Sequence, residues 1–171
     1  MQIYIPATLA MLQQLVADGS LSPVNGTAFA VTPSLREAYA EGDDDELAEV
    51  SLREAALASL RLLASAAEGA DQSGEQLPLR RAVLVAGVGD VTFRPDLDDA
   101  AVRIDAPVAI DDVVAAFVDI AAAEAHVAAA VAVVDAADLG DEDAELAVGD
   151  AQDHDLAWYA VQELPFLIDL F

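Results

Sequence analysis

The run Ala82–Val88 reads AVLVAGV, seven residues without one polar side chain. A strand with one face in water alternates apolar and polar residues, so an unbroken run demands cover on both faces. The chain must therefore form layers with this strand inside. Candidate covering helices are legible before it. Ile3–Pro6 alternates and is β-rich, and Thr8 then caps a helix with Leu9, Leu12, Leu15 and Val16 on one stripe, which Gly19 stops. Thr27–Thr32 reads as a second strand, followed by Pro33 and a helix through Ala40. A longer helix runs from about Asp45 to Ala67, with Leu47, Val50, Leu57 and Leu60 on a broad apolar face.

Gly69–Leu79 has the glycine, proline and serine content of a flexible loop. Ala101–Ile104 and Ala116–Ile120 are two more strand candidates, and Asp111–Ala115 has room for a helical turn. From Ala122 the pattern is helical to the end. Val127, Val131 and Val134 mark one helix, closed by Gly140, and a second runs from Asp141 toward Glu163, limited by Pro165. Strand–helix–strand–helix order before a third apolar strand predicts parallel pairing through right-handed crossovers. The expected architecture is α/β: a mixed, partly parallel sheet of about five strands with helices packed on it and a helical C-terminal third. Residues 1–171 read as one domain, with no internal repeat.

Composition narrows the chemistry. A hydrophobic content of 56 % in 171 residues supports a real core and argues against disorder, despite a net charge of −25. There is no cysteine, which excludes disulfides, thiolate metal sites and thiol nucleophiles. All seven basic residues are arginine (Arg36, Arg53, Arg61, Arg80, Arg81, Arg94 and Arg103), so lysine Schiff-base chemistry and a P-loop lysine are excluded too. The charge argues against binding nucleic acid or anionic lipid, both of which demand positive partners. Met1–Ala17 lacks the positive region of a signal peptide, and Asp119 and Glu124 interrupt the apolar stretch Val113–Val134. A soluble, cytoplasmic protein is expected.

Part of the acidity, nine of the 32 acids, has a local reason, and the remainder exceeds what folding needs. Asp43–Glu46, Asp111–Asp112 and Asp141–Asp143 precede or open possible helices, where the helix dipole favours carboxylates. The excess has three competing explanations: adaptation to a salty or crowded cytoplasm, recognition of a basic partner protein, and mimicry of DNA. Copying ~45 Å of duplex needs roughly 26 charges along one face. A globule of this mass exposes on the order of 8,000 Å², and acids scattered evenly over it lie ~16 Å apart, about two Debye lengths. Mimicry requires clustering that the sequence does not display.

No constellation carries an obvious reaction. Gly87-Val-Gly89 follows an apolar strand but lacks the third glycine and the following helix of a dinucleotide site. The acids Asp135–Asp143 place Ala137, Leu139 and Leu146 where a calcium loop needs ligands. Asp150 and His154 share a helical face with Trp158, a spacing open to a metal or an acid–base couple. The preferred account is a histidine bonded to a carboxylate, beside an aromatic that anchors the last helix. His126 has no second ligand in view and reads as structural. The more suggestive pattern is the pair of strand-to-helix junctions at Pro6-Ala7-Thr8 and Thr32-Pro33-Ser34. If the two strands are parallel neighbours, Thr8, Thr32 and Arg36 converge at one edge, with Tyr4 and Tyr39 alongside, as an anion site. Capping alone accounts for both threonines.

The segments YIPATLAML at Tyr4–Leu12, FAVTPSLREAYAEGDDDELAE at Phe29–Glu49, DAADLGDEDAE at Asp135–Glu145 and DHDLAWYAVQELP at Asp153–Pro165 carry a resemblance. They are similar to an uncharacterised actinobacterial family of small acidic proteins beginning with a YIPAT motif. The resemblance implies a bacterial, cytoplasmic setting in a GC-rich genome, where arginine is favoured over lysine, and it supplies no catalytic residues. The leading functional reading is a non-enzymatic acidic domain that binds a basic protein partner and needs no cofactor. The alternative is a small-molecule binder or enzyme at the Thr8, Thr32 and Arg36 edge, and the third is the DNA mimic. Oligomeric state is open.

Overall fold

A computed structural model describes residues 1–68 and 77–171. The loop expected over Gly69–Leu79 lies, from 69 to 76, outside the described residues. In chain order the elements are β1 (Gln2–Ala7), α1 (Leu9–Asp18), β2 (Ser20–Leu21), β3 (Thr27–Phe29), α2 (Pro33–Ala38), α3 (Asp44–Glu68), β4 (Ala82–Gly87), β5 (Thr92–Phe93), β6 (Ala101–Arg103), β7 (Val108–Ala109), β8 (Val113–Val118), α4 (Glu124–Asp138), α5 (Glu142–Gln152), β9 (Ala157–Ala160) and α6 (Leu164–Ile168).

Seven strands form one sheet in the order β5-β6-β3-β1-β4-β8-β9, and β2 pairs with β7 apart from it. The apolar run is β4, which lies inside the sheet between β1 and β8. Every pairing among the described residues is antiparallel, which corrects the partly parallel expectation. The reason lies in the connection after α1. A parallel partner would enter from the end where β1 begins. Instead the chain continues through β2 and a 3-10 turn at Val24–Gly26 and enters β3 from the end where β1 leaves, with Tyr4 opposite Phe29. Asn25 and Gly26 both take positive φ in that turn, and a side chain at Gly26 would meet the Ile104 carbonyl.

Helices cover both faces. Ile3, Ile5, Leu84 and Ala86 pack against Leu9, Leu12 and Leu15 of α1 and Leu164 and Leu167 of α6. Leu12 and Leu15 are fully buried, and each contributes about 1.5–3 kcal/mol. On the opposite face Tyr4, Val83 and Val85 meet Leu35, Leu47, Ala55 and Ala56 of α2 and α3. The 25 residues of α3 span about 37 Å, whereas a six-residue strand spans about 20 Å. Its far half therefore overhangs the sheet, and Leu60, Leu63 and Ala64 bury Val127, Ala130 and Val134 of α4 and Ala151 of α5.

The C-terminal third departs from the all-helical expectation. The helix begun at Asp141, whose carboxylate accepts from the Ala144 N–H, ends at Gln152. Ala157–Ala160 then pairs with β8 and becomes an edge strand. The expected strand at Ala116–Ile120 starts earlier, at Val113, and the helical turn before it is confined to Ile110–Asp112. Two edge strands, β5 and β9, bring the main sheet to seven where about five were expected.

Candidate functional site

The residues expected to form an anion site do not meet. Because β1 and β3 are antiparallel, Thr8 and Thr32 follow strand ends at opposite edges of the sheet. Their helices also pack on opposite faces, Leu9 of α1 on one and Leu35 of α2 on the other. Each threonine is engaged as a cap. Thr8 Oγ1 accepts from the Met11 N–H at 3.2 Å, and Thr32 Oγ1 accepts from the Leu35 N–H at 3.1 Å while donating to the Asp99 carbonyl. Arg36 is taken by Asp44 at 2.6 Å, Tyr4 is buried with its hydroxyl bonded by Gln2, and Tyr39 is exposed past the end of α2.

The sheet instead concentrates its charge chemistry at the β4–β8–β9 end. Arg81 immediately precedes β4 and Asp119 immediately follows β8, so the antiparallel register sets them opposite each other. The Asp119 N–H donates to the Arg81 carbonyl at 3.1 Å, and the Arg81 N–H donates to Asp119 Oδ2 at 2.8 Å. The side chains form a bidentate pair, Nε to Oδ2 at 2.9 Å and Nη2 to Oδ1 at 2.7 Å, with exposures of 1 % and 0 %. Asp119 is the one fully buried acid among the described residues.

The remaining guanidinium donors reach outward. Nη1 bonds Gln152 Oε1 at 2.7 Å and Nη2 bonds the His154 carbonyl at 3.0 Å. Gln152 donates in turn to the Arg53 carbonyl at 3.3 Å. Arg80 extends the cluster, pairing with Glu124 at 2.8 Å and lying 4.8 Å over the Phe171 ring. No buried side-chain polar atom among the described residues lacks a partner. The network ties the end of α5 and the start of β9 to the sheet, and its charges are neutralised in place.

Two groups stand outside that network. His154 is held in that network through its carbonyl alone, and its ring does not meet Asp150 as the sequence spacing suggested. Its Nε2 lies 2.7 Å from Nδ1 of His126, with ring centroids 4.9 Å apart and planes tilted 40°. His126 therefore has a partner 28 residues away, on a different element, that no local spacing could reveal. Trp158 does not anchor a helix. It lies on β9, cross-strand from Phe117, and is 58 % exposed.

Antiparallel ladders alternate between residues that face the partner strand and residues that face away. The Ala160 N–H is turned away from β8 to Glu163 Oε2 at 2.8 Å. Trp158, two residues earlier, therefore points its own N–H and C=O out from the sheet. Asp153 and Asp155 precede this edge and Glu163 follows it, all exposed. At the other end of the sheet an open groove is lined by Asn25, Gly26, Thr27, Leu97, Arg103, Ile104 and Asp105.

Charge elsewhere is only partly compensated. Among the described residues five arginines stand in ion pairs, with Asp44, Asp138, Glu124, Asp119 and Asp96. No helix among the described residues is long and apolar enough to cross a membrane.

No curated protein and no solved structure matches the chain. The model of a family of unknown function, DUF6912, matches residues 1–168, and the chain belongs to that family.

Proposed function

We propose that the protein acts by binding, as a partner-recognition or regulatory domain, and that its ligand is a cationic, extended segment of another protein laid along β9. The observation that carries this reading is Trp158. The single tryptophan of the chain stands exposed on an edge strand, its main-chain N–H and C=O turned outward, between Asp153 and Asp155 on one side and Glu163 on the other. An added strand would gain main-chain hydrogen bonds there and an aromatic contact. Two copies of a chain of net charge −25 repel, so the charge favours a basic occupant over self-pairing. The setting we propose is the actinobacterial cytoplasm, on the resemblance carried by the YIPAT opening. The rival reading, an anion site at Thr8, Thr32 and Arg36, has no single place in the fold to act from.

The test uses a synthetic peptide of alternating arginine and valine, with glutamate replacing arginine in a control, and reads Trp158 fluorescence. Binding by the basic peptide alone, weakening with salt and lost when one edge of the peptide backbone is N-methylated, supports the reading. A response indifferent to N-methylation, or no change in Trp158 emission on binding, overturns strand addition at β9.

A further inference from the structure

We infer that His126 and His154 form a binding site for a divalent transition-metal ion of the copper, nickel or zinc class, with the two imidazole nitrogens as protein ligands and water completing the shell. The chain has two histidines, and the fold brings both to one point from separate elements. Nδ1 of His126 and Nε2 of His154 converge on each other at 2.7 Å. In a tetrahedral site two nitrogens at ~2.0–2.1 Å from the metal stand about 3.3 Å apart. Admitting the ion thus asks the rings to part by about half an ångström.

What the ion displaces is a single imidazole–imidazole hydrogen bond, a modest net contribution in a place open to water. His154 is braced for the role: its carbonyl is fixed by Arg81, whose own charge is neutralised by Asp119. The pair is open to solvent, with His126 exposed, so an ion and its waters can enter. The exposed carboxylates of Asp150 at the end of α5, and of Asp153 and Asp155 on either side of His154, add a favourable field. Among the described residues no third histidine or carboxylate joins the pair as a ligand. The site is accordingly of the weak, exchangeable kind, and imidazole donors select copper, nickel and zinc over magnesium and calcium.

Calorimetric titration with zinc in a large excess of magnesium tests this, because magnesium occupies the diffuse carboxylate surface. The expected result is one zinc per chain, with His126→Ala and His154→Ala each weakening binding by roughly tenfold or more. Nitrogen-15 spectra of the imidazoles in the unmodified protein provide a second readout that needs no variant. Zinc should shift Nδ1 of His126 and Nε2 of His154 together. Binding of equal strength in the variants, shifts confined to other nitrogens, or no zinc binding above the magnesium background would each overturn the site.

Discussion

Ser59 stands between Ala7 and Ala82, donating its hydroxyl to the Ala7 carbonyl at 2.6 Å and accepting from the Ala82 N–H at 3.0 Å. These two residues are partners at the end of the β1–β4 ladder. A helix side chain thus bridges the last rung of the central strand pair, fully buried. Ser59→Ala leaves a buried donor and a buried acceptor unpaired, and a loss of about 1–3 kcal/mol is expected in urea unfolding. Ser51, also buried on α3, bonds only the Leu47 carbonyl one turn back. Ser51→Ala orphans no strand backbone and should stay within about 1 kcal/mol.

The Arg81–Asp119 pair behaves differently when broken from one side than when replaced. Asp119→Asn leaves a buried guanidinium without its counter-charge, and a destabilisation of about 3–5 kcal/mol is expected. The double variant Arg81→Met with Asp119→Leu removes both charges and should recover much of that loss. Recovery stays incomplete, because Gln152 Oε1 and the His154 carbonyl lose their donor. A double-mutant cycle in chemical denaturation reads the coupling.

Two carboxylates on or against α3 should give stability effects of opposite sign. Burial, and then the charge of Asp98, raise the pKa of Glu54. The folded state therefore binds that proton more tightly than the unfolded chain does. This advantage is lost as pH climbs through the raised value, and ionised Glu54 costs stability above it. Glu54→Gln should raise Tm at neutral pH and do nothing of the kind in acid. Asp138 is held low, first by its hydrogen bond from Arg61. Its contribution is present above the unfolded carboxylate value and lost as pH falls through the depressed one. Asp138→Asn should lower Tm at neutral pH only, and by little, since this surface pair contributes about 0–1 kcal/mol. Melting curves of both variants across the acid range check the crossing.

What was legible in the sequence was what is decided locally. AVLVAGV declared an inner strand, the leucine stripe declared α1, and Asp43 and Asp141 stand as helix caps. Strand direction was not legible, because it depends on Ser20–Gly26 turning the chain back. That turn is secured when Ser20 and Leu21 pair with Ala109 and Val108, far along the chain. The segment AWYA sits in helix-compatible surroundings, and only its register against β8 makes it a strand. The His126–His154 contact shares this character. Local spacing offers each histidine only the neighbours on its own stretch of chain, and the partner that matters arrives through the packing of α4 against α5 and the turn beyond it.

Trp158 offers a direct reading of the charge around the β9 edge, independent of any partner. As the one tryptophan in the chain it reports from a single place. With more than half its surface exposed it should be quenched readily by acrylamide, which carries no charge. The charged quenchers should diverge. Asp153, Asp155 and Glu163 flank the strand, and the net charge of −25 adds a long-range field, so cesium should accumulate at Trp158 while iodide is repelled. The ratio of their quenching constants should exceed that for free tryptophan in the same buffer and shrink toward it as salt shortens the Debye length below about 10 Å. Equal quenching by the two ions at low salt would show that the local carboxylates do not dominate this edge, and would remove the electrostatic basis for a cationic ligand there. Trp158→Ala should cost little stability, since an exposed edge side chain contributes little to the core; a large loss in urea unfolding would mark the residue as structural.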